Sequence, residues 1–265
     1  MTDKPKESGR YIEAVLKSLD VLDCFKGAPD LSLMDIMEGV GLTRSRAMRL
    51  TGTLEHRGYL TQDPVTRRFR LGYRLLALGK SIEANNSLIA ATRPVLEKLA
   101  EVTGESAALF VVDGLDRVVL AREDSTWSIR YSVSEGERIP LPAGAGGKVL
   151  VAFGPSELWK RIQNSRSKRL ASGHSGIDLD QLRQERDRII EQGYATSIGE
   201  RVPDSWAVSA PVFDAQDALV GCISVAGPVS RLTPEKQKNL IGVLLEQSRL
   251  LSANLGWQGR EVNIK

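Results

Sequence analysis

A chain of 265 residues can build one well-packed domain plus a smaller one, and its 42% hydrophobic content with only 11 prolines excludes a disordered or low-complexity protein. No apolar run approaches the roughly twenty residues that span a bilayer, and the polar stretch Met1 to Arg10 is no signal peptide, so a cytoplasmic protein that engages no membrane is expected. The net charge of +3 is unevenly spread: residues 1–80 hold 14 Lys+Arg against 10 Asp+Glu, residues 81–265 hold 22 against 23, and 43–80 alone hold 9 against 2. Such a concentration is an electrostatic footprint for a polyanion.

Residues 1–10 read as a flexible tail, followed by a DNA-binding domain over 11–72. Ile12, Val15, Leu16, Leu19, Leu22 and Phe25 recur at helical spacing, and Gly27-Ala28-Pro29 ends that helix. A second short helix begins after Ser32, a capping residue, with Ile36, Met37 and Val40 as its apolar contacts. Gly39 and Gly41 bracket a turn, and Thr43 is placed to cap a third helix, Arg44 to Arg57, whose Ala47, Leu50 and Leu54 face the core. Helix, turn and capped basic helix make a helix-turn-helix, whose second helix enters the major groove of duplex DNA and presents its N-terminal side chains to base edges. Here those are Thr43, Arg44, Ser45, Arg46, Met48 and Arg49. Next, Gly58-Tyr59-Leu60 and Phe69-Arg70-Leu71 flank an Asp63-Pro64 turn and read as a hairpin, a wing that carries Arg67 and Arg68 toward backbone or minor groove.

A linker helix over 73–85 is rich in leucine (Leu75, Leu76, Leu78) and leads into another helix over about 86–102. Its spare apolar face is expected to pack on a second subunit, since a two-fold DNA reader spans two half-sites of a pseudo-palindromic operator. From 86 to 258 the pattern changes. Strands are expected at 107–112, 117–121, 127–133, 194–199, 206–213 and 219–226. Helices are expected at 144–153, 155–163, 178–192 and 233–251. The whole is α+β: a winged helix-turn-helix, then a mixed or antiparallel sheet flanked by helices, in the proportions of a ligand-sensing module.

Several chemistries are disfavoured. Gly144-Ala145-Gly146-Gly147-Lys148 fails the phosphate-loop pattern, because Pro142 stands where a glycine is needed and Val149 where a hydroxyl is needed. His56 and His174, with the distant Cys24 and Cys222, give no metal-ligand spacing, and neither metal nor cofactor is called for. Glu185 and Asp187 belong to a charged helix rather than an acid–base pair. Arg161, Arg166, Lys168 and Arg169 read as a solvated basic loop.

The segments Gly41 to Leu50, Leu54 to Leu60 and Phe69 to Gly72 resemble the DNA-binding half of the IclR family of bacterial transcriptional regulators. Pro142 to Lys148, Gly193-Tyr194-Ala195, Ala210 to Asp214 and Ser224 to Pro228 resemble, in the same order, its GAF-like effector-binding domain. The resemblance implies a homodimer or homotetramer whose DNA binding a small organic effector, carboxylate or aromatic, modulates. By position it carries the effector pocket onto Ala145, Gly146, Ser197, Glu200, Ser205, Ala207, Ser224 and Ala226. Cys222, in the apolar strand beside them, is a further candidate. Backbone N–H groups at the glycine-rich helix start suit a carboxylate, and the plain Ser197, Ala207 and Ala226 favour an effector with an apolar body. Arg46 and Met48 stand where threonine and histidine are common in the family, so the operator is not inferred from relatives. Two other readings compete: an architectural DNA-binding protein whose C-terminal half only oligomerises, and an enzyme fused to a DNA-binding domain.

Overall fold

The computed structural model describes residues 11–84, 86–164 and 179–259. His174 and the basic residues Arg166, Lys168 and Arg169 lie outside them. The chain divides into two compact units, Met1–Asn85 and Asn86–Lys265.

In the first unit, helices α1 (Glu13–Asp23), α2 (Leu33–Val40) and α3 (Arg44–His56) precede a hairpin of β1 (Leu60–Gln62) and β2 (Phe69–Leu71), and α4 (Tyr73–Ala84) follows. The core is a small apolar cluster of Val21, Phe25, Ile36, Leu42, Ala47, Leu54, Leu60 and Phe69, drawn from each of these elements except α4 and from the turn before α3. Ser32 caps α2 as expected, and reciprocally: its hydroxyl accepts from Asp35 N while the Asp35 carboxylate accepts from Ser32 N, which holds that carboxyl below the usual range. Gly41 ends the helix in the left-handed region at φ 71°, where glycine bears no Cβ penalty. The wing is a two-stranded hairpin with one added bridge, in which Leu31 and Phe69 exchange two backbone hydrogen bonds of 3.0 and 2.7 Å. Its return passes so close that a Cβ on Gly72 would lie 2.1 Å from the Gly58 carbonyl oxygen, so only glycine fits there.

In the second unit α5 (Ser87–Thr103) leads into β3 (Ser106–Asp113), β4 (Asp116–Glu123) and β5 (Arg138–Pro140). Then come α6 (Gly144–Phe153), α7 (Ser156–Asn164), α8 (Leu179–Gln192), β6 (Ala195–Ile198), β7 (Ser205–Phe213), β8 (Leu219–Pro228) and α9 (Pro234–Asn254). The strands form one six-stranded sheet in the order β5-β4-β3-β8-β7-β6, antiparallel throughout. Alternation along the strands feeds two cores. Leu109, Val208, Ile223 and Val225 meet α5 and α9 on one face, whereas Ala108, Phe110, Val119 and Cys222 meet α6, α7 and α8 on the other.

One expected strand is absent. Residues 127–133 form no strand but part of an irregular segment between β4 and β5. Side chains hold part of its backbone: Arg122 donates to the Val133 carbonyl, Arg231 to the Ile129 carbonyl at 2.9 Å, and Glu137 accepts from Ser134 N at 2.9 Å, while Gly136 and Glu137 bond to the Val119 backbone. Trp127 and Ile129, whose apolar character suggested a strand, are 56% and 76% exposed.

Candidate functional site

Each unit holds one candidate site. In the first, Thr43 occupies the N-cap of α3 without a side-chain bond to the helix. Thr43, Arg44, Ser45, Met48 and Arg49 are exposed around its first turns, while Ala47, Thr51 and Leu54 turn inward. The arginines are not equivalent. Arg46 is engaged with Glu13 at 2.8 Å. Arg44 and Arg49 have no ion-pair partner among the described residues.

The wing sorts its arginines in the same way. Asp63 accepts from Val65 N and Thr66 N at 2.9 and 2.8 Å, an Asx turn whose backbone bonds hold its carboxyl low. Arg67 follows at φ 57°, exposed at the tip and unpaired among the described residues. Arg68 points back: its Nε donates to Asp30 at 2.5 Å and its Nη2 lies 3.4 Å from Asp35, the partner of Ser32 at the start of α2. Arg68 therefore braces the wing against α2, and Arg44, Arg49 and Arg67 are left as the free cations of this set.

In the second unit, α6 starts at Gly144 (φ 69°), and its Ala145 N–H donates to Ser197 Oγ on β6 at 3.0 Å. The start of α6 faces a small cavity of about 30 Å³. Ala145, Gly146, Ser197, Glu200, Ser205, Ala207, Ser224 and Ala226 all line it, so eight of the nine effector candidates from the sequence are brought together. Cys222 is not among the lining residues. It lies fully buried beneath α6 with Sγ 3.5 Å from the Gly146 carbonyl, and burial pushes its thiol up to about 12. Glu200 accepts from Lys148 at 2.6 Å, and Lys148 also meets Glu185 at 3.2 Å. Ser224 is hydrogen-bonded to Ser209 on the neighbouring strand.

The decisive side chain was not among the sequence candidates. Arg117 of β4 lines the cavity, is 4% exposed, and its Nε and Nη1 have no hydrogen-bond partner among the described residues. Desolvation pushes its pKa down, opposed by Cys222, Tyr131 and Glu137 and aided by Arg201. The guanidinium carbon stands 4.7 Å from the Phe110 ring centroid, a cation–π contact. A Cβ on Gly146 would sit 2.8 Å from Arg117 Nη1, so the missing side chain makes the room the arginine occupies. The only signal in the sequence was a charge inside the apolar run Arg117-Val118-Val119-Leu120-Ala121.

Comparison with known proteins agrees with this division. The IclR helix-turn-helix domain matches residues 14–64, and the bacterial transcriptional regulator IclR C-terminal domain matches 81–253. The chain belongs to the IclR family. It is similar to the HTH-type transcriptional regulator KipR of Bacillus subtilis, 26% identical over 246 residues, 92% of this chain and 98% of the relative. The IclR structure from Thermotoga maritima shares the fold at TM-score 0.77 and 24% identity, covering 93% of this chain and all of that one. An IclR homolog from Microbacterium hydrocarbonoxydans, solved in complex with 4-hydroxybenzoate, has TM-score 0.76 at 19% identity, over 92% of this chain and 99% of its own. This chain is thus an HTH-type transcriptional regulator and not an enzyme. No described helix is long and apolar enough to cross a membrane.

Proposed function

We propose that this IclR-family regulator binds a pseudo-palindromic operator in the cytoplasm as a homodimer or homotetramer, and that a small organic carboxylate in the Arg117 cavity modulates that binding. The observation that carries the effector reading is the unpartnered Arg117 guanidinium. An ionised group buried without an ion-pair partner in contact costs several kcal/mol, roughly, and persists where a ligand supplies the missing contact. The start of α6 borders the same space, with its Ala145 N–H donating to Ser197 Oγ. A cavity between Gly146 and Ser224 that the buried Arg117 enters also weighs against a purely architectural binder, whose second domain needs none.

Oligomerisation is supported by apolar surface in the first unit. Ile12, Val15, Leu16 and Leu19 on and before α1, and Leu76, Leu78 and Ile82 on α4, are all about half exposed or more. Free Arg44, Arg49 and Arg67 supply candidate DNA contacts, with Thr43, Ser45 and Met48 beside them on α3. Arg46 and Arg68, which the sequence also suggested, contribute through the ion pairs that set helix and wing.

The test is an equilibrium titration of the full chain against the duplex upstream of its own gene and against random duplex at matched salt. A panel of small carboxylates, each with its neutral amide, is added in turn. Specific, salt-dependent binding that at least one acid and not its amide shifts is expected. Equal affinity for both duplexes, or amides as effective as acids, would overturn the reading.

A further inference from the structure

The cavity beside Arg117 has a neighbour of about 20 Å³, which reaches along the sheet toward Ser106, Arg122 and Asp124. The two chambers share four lining residues: Phe110, Ser224, Ala226 and Tyr131. The first three belong to a continuous floor, because β3 and β8 pair without interruption from Ser106 opposite Ala226 to Phe110 opposite Cys222. Tyr131 is different. It comes from the irregular segment between β4 and β5, and is the one shared lining residue that does not belong to the sheet.

The volumes matter here. About 30 and 20 Å³ each suit a water or so, and neither admits an organic carboxylate. Something must move before an effector can meet Arg117. The segment that carries Tyr131 is tied down on both sides, by Arg231 at Ile129 and by Arg122 at Ser132 and Val133. Rotation of one side chain is a smaller change than release of the segment. That side chain is held by Arg201, whose Nη1 donates to the Tyr131 hydroxyl and whose guanidinium lies 5.7 Å from the ring centroid, and by packing of the ring against the apolar core on this face of the sheet. Arg201 has a second partner in Glu137 at 2.5 Å, so it stays neutralised when the tyrosine leaves.

Charge around the two chambers sets where an anion is held. A bulge at Leu120 lets Val119 pair with Phe110 and Arg122 with Ala108, which brings Arg117 and Arg122 to the same face of the sheet despite their odd separation. Arg122 is already matched by Asp124, Lys148 by Glu185 and Glu200, and Arg201 by Glu137. Arg117 remains as the one cation of this group without an acidic partner among the described residues. The four cations named are equalled in number by Asp124, Glu137, Glu185 and Glu200, so what the site offers an anion is the local contact with Arg117, with an apolar floor of Phe110, Ala108 and Ala226 beyond it.

We propose that Tyr131 is the gate and the length-selecting residue of the effector site. When it swings off the floor the chambers merge, and the site takes a monocarboxylate with its charge on Arg117 and an uncharged apolar or aromatic body lying across Phe110 into the second chamber. This rests on the reading of Arg117 as the anion partner given under the proposed function.

The test is calorimetric titration of the full-length protein with benzoate, 3-phenylpropionate, 4-phenylbutyrate and neutral benzamide, in wild type, Tyr131→Ala, Tyr131→Phe and Arg117→Met. Each further buried CH₂ is worth roughly four-fold in affinity. Tyr131→Ala should therefore shift preference toward the longer acids over benzoate by at least about five-fold, while Tyr131→Phe, which keeps the ring and loses the Arg201 bond, keeps the wild-type order. If Tyr131→Ala leaves the ratio of long to short acids unchanged while Arg117→Met abolishes acid binding, the gate is wrong and the anion reading stands. If benzamide binds as well as benzoate, or if none of the acids binds wild type or Tyr131→Ala, the anion reading falls and the gate with it. Circular dichroism of each variant separates a binding loss from a folding loss.

Discussion

Arg117 is stacked on Phe110, 4.7 Å from guanidinium carbon to ring centroid, with its Nε and Nη1 buried and unpartnered among the described residues. A cation–π contact returns only about 0.5–2 kcal/mol, less than the cost of burying the charge. Arg117→Met should consequently stabilise the unliganded protein, by about 1–3 kcal/mol in chemical denaturation, while it removes the response to carboxylates. A variant less stable than wild type would mean that Arg117 is a structural member of the core and no ligand partner.

Gly146 gives a second handle on the same space. An added Cβ would meet Arg117 Nη1 at 2.8 Å, Ser224 Oγ at 3.3 Å and Phe110 Cδ2 at 3.4 Å, and the tightest of these is the far end of a flexible side chain. Gly146→Ala should fold with a change within about 1 kcal/mol, since alanine also favours the helix. It should nonetheless weaken carboxylate binding by an order of magnitude or so by displacing the guanidinium. DNA affinity without effector should be unaltered. Loss of both activities together would point to a folding defect in α6.

These two residues mark what the sequence could and could not tell. The eight cavity residues were legible through the resemblance to the IclR family, whose motifs (Ala145-Gly146, Ser224-Val225-Ala226) recur here in the same order. Arg117 was legible only as a charged residue in an apolar strand, since its neighbours in space, Gly146, Ser197 and Tyr131, come from three other segments. The Ser32 capping box and the antiparallel sheet follow from local chemistry and alternation. The bulge at Leu120, which turns Arg122 to the Arg117 face, has no local signature. Residues 127–133 misled because Trp127 and Ile129 look like strand residues, whereas the backbone there is held by arginines distant in sequence.

The sorting of arginines in the first unit predicts two classes of salt dependence. Arg44, Arg49 and Arg67 are free, so alanine at any one of them that contacts phosphate should lower the slope of log affinity against log salt by about one. Arg68 spends its guanidinium on Asp30 and Asp35. Arg68→Ala should leave that slope unchanged and weaken binding through a misplaced wing, and Asp30→Ala should reproduce the defect. A slope reduced by Arg68→Ala but not by Asp30→Ala would make Arg68 a phosphate contact after all.

Glu105 predicts a pH dependence in the second unit. It is fully buried where β3 begins, with Arg231 at 2.5 Å and Lys236 at 2.6 Å, and a Cβ on Gly227 would lie 2.4 Å from its Oε2. Burial alone would push its carboxyl up, but the bonds from Arg231 and Lys236 outweigh it and hold the carboxyl below its ordinary value. A depressed carboxylate pKa contributes stability that is fully present above the unfolded value, about 4.3, and is lost as pH falls through the lower folded value. Glu105→Gln should cost about 2–4 kcal/mol at neutral pH, the lower end reflecting the partial exposure of both cations. The gap between the two proteins in urea melts should be flat from pH 7 to about 5 and close progressively below about 4.3. A gap independent of pH down to 3 would show that Glu105 acts by shape and packing, with no contribution from its charge.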